Sequence, residues 1–426
     1  MSDLSRRGFL RVGVAAAGAL ALAGCAGGGG GSGGAASMQF AWWGSTARHN
    51  ATQQALAAFR KKRPGVQVRT QFSGWDGYWE KLATQTAGGN APDVIQMDYS
   101  YIGEYARRGS LLDLGPYLGK GLDLSGFAKD VVDAGKIDGK QYGVNFGINS
   151  MALIWNRTLA KELGIEVPET FTWPEFGELS KKIAEKAPKG VYASEDGAQD
   201  GGAFENWLLE RGKMFFTPDG KLAYDEKDLT EWFTFWDGLR KAGAAAPPDV
   251  QATAAGDVQN SLVATRKAVM DFAWSNQLTA YMSVTKDDIA VHAFPTGDKP
   301  GQYYKPSMLL TVSAATKRPQ DAVALVNALV SDTDVATPLG SERGVPPSSA
   351  IRAALEPKAS PSEKLVYAYI ESLSDKVGPL PPPQPLGAGE LHNKVLMNVN
   401  QQVGFGKLSI AEGVSRFFDE AHRVLK

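Results

Sequence analysis

Aromatic side chains stand where strand-like segments of this chain end, with polar groups beside them. Trp42-Trp43 closes one such segment ahead of a Gly44-Ser45 turn. Trp75 lies in Ser73-Gly74-Trp75-Asp76-Gly77-Tyr78, between a strand-like and a helix-like stretch. Tyr99 and Tyr101 follow a third strand-like segment next to Asp98, and Trp274 ends another and leads into Ser275-Asn276. Ligands of α/β proteins collect outside the carboxyl ends of strands. An aromatic ring placed there stacks on the C–H face of a sugar, while carboxylate, amide and guanidinium groups bond the hydroxyls at its edge. The pattern points to saccharide recognition through Trp43, Trp75, Asp98, Tyr99 and Trp274. Neighbours on a strand point to opposite sides, so one of Trp42 and Trp43 faces the core, and Trp43 is the one assigned to a ligand. Trp207 is a further candidate. Trp232 and Trp236, four apart on a helix, are assigned to the core. Arg48 holds either an acidic group of a ligand or a neighbouring carboxylate of the chain. Arg343, in Glu342-Arg343-Gly344-Val345-Pro346, is placed in a loop that faces a cleft.

Catalytic machinery is not visible at this level. The four histidines, His49, His292, His392 and His422, occur at no spacing suited to a metal site. No serine nucleophile set between a strand and a helix is found, and no P-loop. Glycine-rich matches in residues 27–34 have no strand before them and no helix after, so they are low-complexity sequence and not a nucleotide fingerprint. A glycosidase needs only two acids about 5–10 Å apart, which keeps a polysaccharide hydrolase as the alternative. No catalytic residue, metal or cofactor is assigned.

The elements that position these groups follow from periodicity. Strand-like segments at 39–43, 66–72 and 93–97 alternate with helix-like ones at 50–62 and 75–86, which argues for a parallel α/β sheet. Residues 141–155 are extended and apolar. Thr172-Trp173-Pro174-Glu175 opens a helix with a capping box, and residues 204–242 read as helical and rich in aromatics. Further strands are expected at 268–273, 289–294 and 308–314, and helices at 321–330 and 409–425. The proline-rich stretch 378–385 can only be a loop.

The first 37 residues have a different character. Arg6-Arg7, inside Ser5-Arg6-Arg7-Gly8-Phe9-Leu10, precede an apolar stretch at 12–23, and Leu22-Ala23-Gly24-Cys25 follows. A charged start, a short apolar segment and small residues before a cut site make an export signal, here of the twin-arginine type. The stretch is too short for the roughly 20 residues of a bilayer span. Cys25, the sole cysteine, stands where a lipoprotein carries its lipid, and residues 25–37 form a glycine-rich tether. Residues 1–24 are thus a signal peptide and the folded part lies outside the cytoplasm, anchored to the cell membrane. From residue 25 on there are 42 basic and 45 acidic residues, a net charge of −3. Such a body is a poor partner for nucleic acid, whose binding rests on many phosphate contacts.

Taken in order, these segments resemble the carbohydrate group of extracellular solute-binding proteins of ABC importers, the group of maltose-binding protein. The resemblance runs from residue 38 to the end. It rests on Trp42-Trp43-Gly44, Gly74-Trp75 to Leu82, Ala87-Gly88-Gly89-Asn90-Ala91-Pro92-Asp93-Val94, Ala268-Val269-Met270 to Asn276, and Gly344-Val345-Pro346. It implies a two-lobed α/β fold of the type II periplasmic-binding-protein kind. Lobe one would be 38–147 plus 305–350 and lobe two 148–304 plus 351–426, with crossings near 145–149 and 303–307. Asn149, at the first crossing, would touch the ligand. The lobes would close on an oligosaccharide by a hinge, and the protein, a monomer, would deliver it to membrane permease subunits. Trp42-Trp43-Gly44 with Arg48-His49 and Gly74-Trp75 looks most like the subgroup for pectin-derived, acidic oligosaccharides; a neutral sugar stays equally open. A peptide or polyamine binder of the same fold would show a cleft lined by carboxylates in place of aromatics.

Overall fold

The computed structural model describes residues 37–75, 77–254, 258–385 and 387–425. The export segment with Arg6 and Arg7, Cys25 and the tether up to residue 36 lie outside the described residues. In chain order the strands are β1 (Ser37–Trp43), β2 (Gln67–Ser73), β3 (Val94–Met97), β4 (Lys136–Ile137), β5 (Lys140–Gln141), β6 (Gly143–Asn149), β7 (Met151–Asn156), β8 (Tyr192–Ser194), β9 (Ala268–Trp274), β10 (Ile289–His292) and β11 (Lys305–Val312). One sheet has the order β2-β1-β3-β11-β6 and a second β10-β7-β9-β8, while β4 and β5 form a small hairpin. Each sheet with its helices makes one lobe.

In the first sheet β1 is parallel to both β2 and β3. The last four residues of β1 are buried without a break, as befits a strand covered on both faces. Trp42 and Trp43 are therefore both enclosed, at 0% and 7% exposed. Helix Thr46–Lys62 links β1 to β2. Ser45 caps it by accepting from the Arg48 N–H, and Arg60, Lys61 and Lys62 fill its last turn, where the helix dipole favours cations. The next helix starts at Tyr78, not at residue 75, because Gly77 takes a left-handed φ of 75°. Trp75 is left in the turn ahead of it.

Within the first sheet the parallel arrangement holds for these three strands only. β11 runs antiparallel to β3 and β6 because it enters from the other lobe. In the second sheet β9 is antiparallel to β7 and parallel to β8. The chain steps between sheets at Ser150, the one residue between β6 and β7. It steps back at β11, whose Lys305 lies opposite Asn149. Val345 joins them, exchanging backbone hydrogen bonds of 2.9 and 3.0 Å with Ile148. The approach is close: a Cβ on Gly147 would stand 1.8 Å from the Arg343 carbonyl oxygen.

The second lobe is built around aromatic rings. Residues 204–242 are not one helical stretch but two helices, Gly201–Glu210 and Glu226–Lys241. Gly212 and Gly220, at φ 72° and 83°, turn the chain between them and fold Phe215 and Phe216 inward. Trp173, on helix Trp173–Lys186 with its Thr172–Glu175 capping box, meets Trp207, Trp232 and Trp236 edge-on at 5.7, 5.3 and 6.4 Å. Trp232 and Trp236 are fully enclosed, as their spacing predicts. Helix Ile410–Val424 closes the lobe with Val414, Phe417 and Ala421.

Candidate functional site

A cavity of about 490 Å³ opens where elements of both lobes meet. From the first lobe come Asp98, Tyr99 and Ser100, at the start of helix Tyr99–Arg107. From the second come Ala273 and Trp274 at the end of β9, and Asp200 and Glu205 at the cap and middle of helix Gly201–Glu210. Tyr303 and Lys305 reach it from the return crossing. The proline-rich loop forms a wall through Pro381, Pro382 and Gln384, and His392 lies beyond it. This is the volume range of small-ligand sites.

Each group is held by its own chain. The Asp98 carboxylate accepts from the Ser100 N–H at 2.9 Å, capping the helix that carries Tyr99. Tyr99 donates its hydroxyl to the Pro381 carbonyl at 2.8 Å, tying the proline loop to the first lobe. Trp274 is partly buried, and its N–H donates to the Gln277 side-chain oxygen at 2.9 Å. The Lys305 ammonium lies 4.6 Å from the centre of its ring. Tyr303 donates its hydroxyl to Glu205 Oε2 at 2.5 Å. Burial pushes the Glu205 carboxyl up to about 7, against the pull of that hydroxyl and of the Lys305 charge. Burial likewise lifts Asp200 to about 6, although the N–H groups of Ala203 and Gly202 favour its ionised form. His392, 5% exposed, stacks on Phe215 at 4.0 Å, and burial drives its pKa down to about 3, so the ring is neutral at pH 7. Among the described residues no group of three His, Asp or Glu side chains is placed to hold a metal ion.

Of the residues singled out from the sequence, Asp98, Tyr99 and Trp274 come together here. The others lie elsewhere. Trp43 packs against Trp75, Tyr78 and Trp79 at 5.1–5.4 Å. Trp75, 46% exposed, is the outer face of that cluster, which lies at the carboxyl edge of the first sheet. Arg48 meets the second of its two expectations. Its guanidinium donates to the carbonyls of Glu342 (2.9 Å) and Trp43 (3.3 Å) and stands 3.7 Å from the Glu342 carboxylate. Arg343 does not face a cleft. It is 3% exposed, donates to Gln96 Oε1 and Thr52 Oγ1 at 2.9 and 2.8 Å, and covers the Phe146 ring at 4.5 Å. Asn149 is 8% exposed within the crossing. Trp207 belongs to the aromatic core: it is 5% exposed, with the Arg211 guanidinium 3.3 Å from its ring centre.

Glu205, Asp200, Tyr303 and Lys305 were not singled out from the sequence. Glu205 and Tyr303 are 98 residues apart, so their bond has no local signature. Glu205 does leave one trace, a carboxylate in the apolar run Ala203-Phe204-Glu205-Asn206-Trp207-Leu208. A charge in such a run needs a partner or a task.

Comparison with known proteins agrees with this architecture. A diacetylchitobiose-binding protein of Streptomyces coelicolor is 29% identical over 136 residues, 32% of this chain and 31% of that protein. The curated relatives matched in this way share about a third of their length with it. A family 1 extracellular solute-binding protein from Alicyclobacillus acidocaldarius superposes with a TM-score of 0.82 at 29% identity, over 91% of this chain and 98% of that one. An oligogalacturonide-binding protein from Yersinia enterocolitica shares the fold at a TM-score of 0.79 and 21% identity, with the same coverage. Residues 42–336 match the family profile described as bacterial extracellular solute-binding protein, and the chain belongs to that family.

Proposed function

We propose that this protein is the sugar-capturing component of an ABC importer. It binds an oligosaccharide in the cavity between its lobes, closes on it, and presents it to permease subunits in the membrane. The observation that carries this reading is the cavity's composition: Trp274 and Tyr99 offer ring faces, and Asp98, Asp200 and Glu205 offer acceptors to hydroxyls. Relatives named for sugars, among them the diacetylchitobiose-binding protein, support it.

Lobe one is residues 38–147 plus 305–350 and lobe two 148–304 plus 351–426, and the crossings at Asn149–Ser150 and Lys305 act as hinge. Ligand groups that touch both lobes favour the closed form. The protein works as a monomer, held at the outer face of the cell membrane through a lipid on Cys25 after twin-arginine export. Trp43, Arg48, Trp75, Asn149, Trp207 and Arg343 support the walls and the crossing in this reading, with Trp75 alone free to extend the site outward. The family relatives are binding proteins, and release of the sugar unchanged is expected.

A thermal-shift screen against neutral, acidic and amine-bearing oligosaccharides tests this, because a ligand bound only by the folded state raises its stability. A shift with one class, without product formed on long incubation, is expected. Steady turnover, or no shift with any sugar, contradicts it.

A further inference from the structure

Resting on the saccharide reading above, we infer that the captured sugar carries a basic nitrogen, received by Glu205. The cavity holds three carboxylates, Asp98, Asp200 and Glu205, against one cation, Lys305. Among the described residues none of the three forms an ion pair. Elsewhere in the second lobe, buried Asp196 and Asp228 are each paired, with Arg240 and Lys213 at 2.6 Å, whereas buried Asp271 and Glu210 have no ion pair among the described residues. Lys305 directs its ammonium over the Trp274 ring and acts on Glu205 only at a distance.

Glu205 is the most enclosed of the three, at 6% exposed. Its single hydrogen-bond donor among the described residues is the uncharged Tyr303 hydroxyl. An enclosed carboxylate without a countercharge is costly, and a ligand ammonium removes that cost. A neutral hydroxyl removes less of it, and a uronate adds a fourth negative charge. His392 points to a ligand independently of the acids. It lines the cavity, it is 5% exposed, and its Nε2 has no partner among the described residues. As a neutral imidazole it offers an acceptor as well as a donor. The Trp274 face already accepts one ammonium, that of Lys305, so its quadrupole suits a cation.

The titratable and charged groups around Glu205 are Tyr303, Tyr99, Lys305, Asp98, Asp200 and His392. Burial holds part of Glu205 protonated near pH 7, so capture of an ammonium releases a proton and strengthens as pH rises above 7, as long as the ligand amine stays charged.

Calorimetric titration of the whole protein with matched disaccharides tests the inference. The panel pairs glucose and galactose disaccharides with forms in which one hydroxyl is an amine, and adds digalacturonate. The amine form is expected to bind about tenfold or more tighter than its hydroxyl partner, on the scale of a charged hydrogen bond, with digalacturonate weakest. Glu205→Gln, which keeps shape and the Tyr303 bond, is expected to erase that preference, so that the amine and hydroxyl forms bind within about threefold of each other. Equal or tighter binding of the hydroxyl form or of digalacturonate overturns the inference and leaves the saccharide reading standing. So does an amine preference that survives Glu205→Gln. Silence from every sugar overturns both.

Discussion

Two groups of aromatic rings lie within the second lobe and at its edge, and they do opposite work. Around Trp173 the rings of Trp207, Trp232 and Trp236 meet edge to face, and their surfaces are spent on one another. At the cavity, Trp274 is only partly buried, with Lys305 over its ring and the carboxylates of Asp200 and Glu205, unpaired among the described residues, nearby. Aromatic content therefore marks a core by default. In the reading proposed above, a binding wall is an aromatic ring beside acids without countercharge at the cavity where the lobes meet.

Substitutions sharpen the contrast. Trp232→Ala removes a fully enclosed ring and is expected to cost about 3–5 kcal/mol of stability in denaturant unfolding, without changing the affinity of the protein that remains folded. Trp274→Ala is expected to do the reverse. Sugar affinity falls by about 1–3 kcal/mol in calorimetry, while stability changes by less than about 1 kcal/mol. Equal stability losses in the two variants would erase the distinction. Arg343→Met leaves Gln96 Oε1 without its donor and takes one of two hydrogen bonds from Thr52 Oγ1, and it is expected to lower stability by about 1–3 kcal/mol. A selective loss of sugar affinity there would restore the cleft role expected from sequence.

Acidity separates the lobe interior from its surface in a gentler way. Asp271 accepts from Tyr281 at 3.3 Å, and burial lifts its carboxyl to about 7. The folded protein thus keeps a proton that the unfolded chain gives up near pH 4. The stability this contributes is fully present below pH 4 and is lost as pH rises through about 7. Melting temperature followed from pH 4 to 8 should show this decline, and Asp271→Asn should make it shallower, the remainder coming from Glu205 and Asp200, which burial raises in the same direction. The smallest effect is expected for Trp75→Ala. Stability should move by less than about 0.5 kcal/mol, with weaker binding confined to sugars long enough to reach beyond the cavity.

Much of the fold was legible because local rules act within a few residues. The capping box of Thr172 and Glu175 and the proline loop at 378–385 were readable directly. Strand direction was not, since β11 runs antiparallel only because the chain has already crossed to the other lobe and back. The site was legible in part. Asp98, Tyr99 and Trp274 stand at the ends of β3 and β9, where strand chemistry exposes them. Trp43 misled because β1 is covered on both faces, so alternation leaves neither indole free. Arg343 misled because a guanidinium in a glycine-containing loop looks available until the amide and hydroxyl that engage it are folded against it. The Glu205–Tyr303 bond joins residues that only tertiary structure brings together.

Hydrogen–deuterium exchange, with and without the sugar giving the largest thermal shift, tests the central claim most directly. Slowed exchange is predicted in residues 98–100, 201–205, 273–277 and 303–305 together, since these line the cavity from both lobes. Protection confined to the Trp43–Trp75–Trp79 edge, or to one lobe alone, would contradict capture between the lobes.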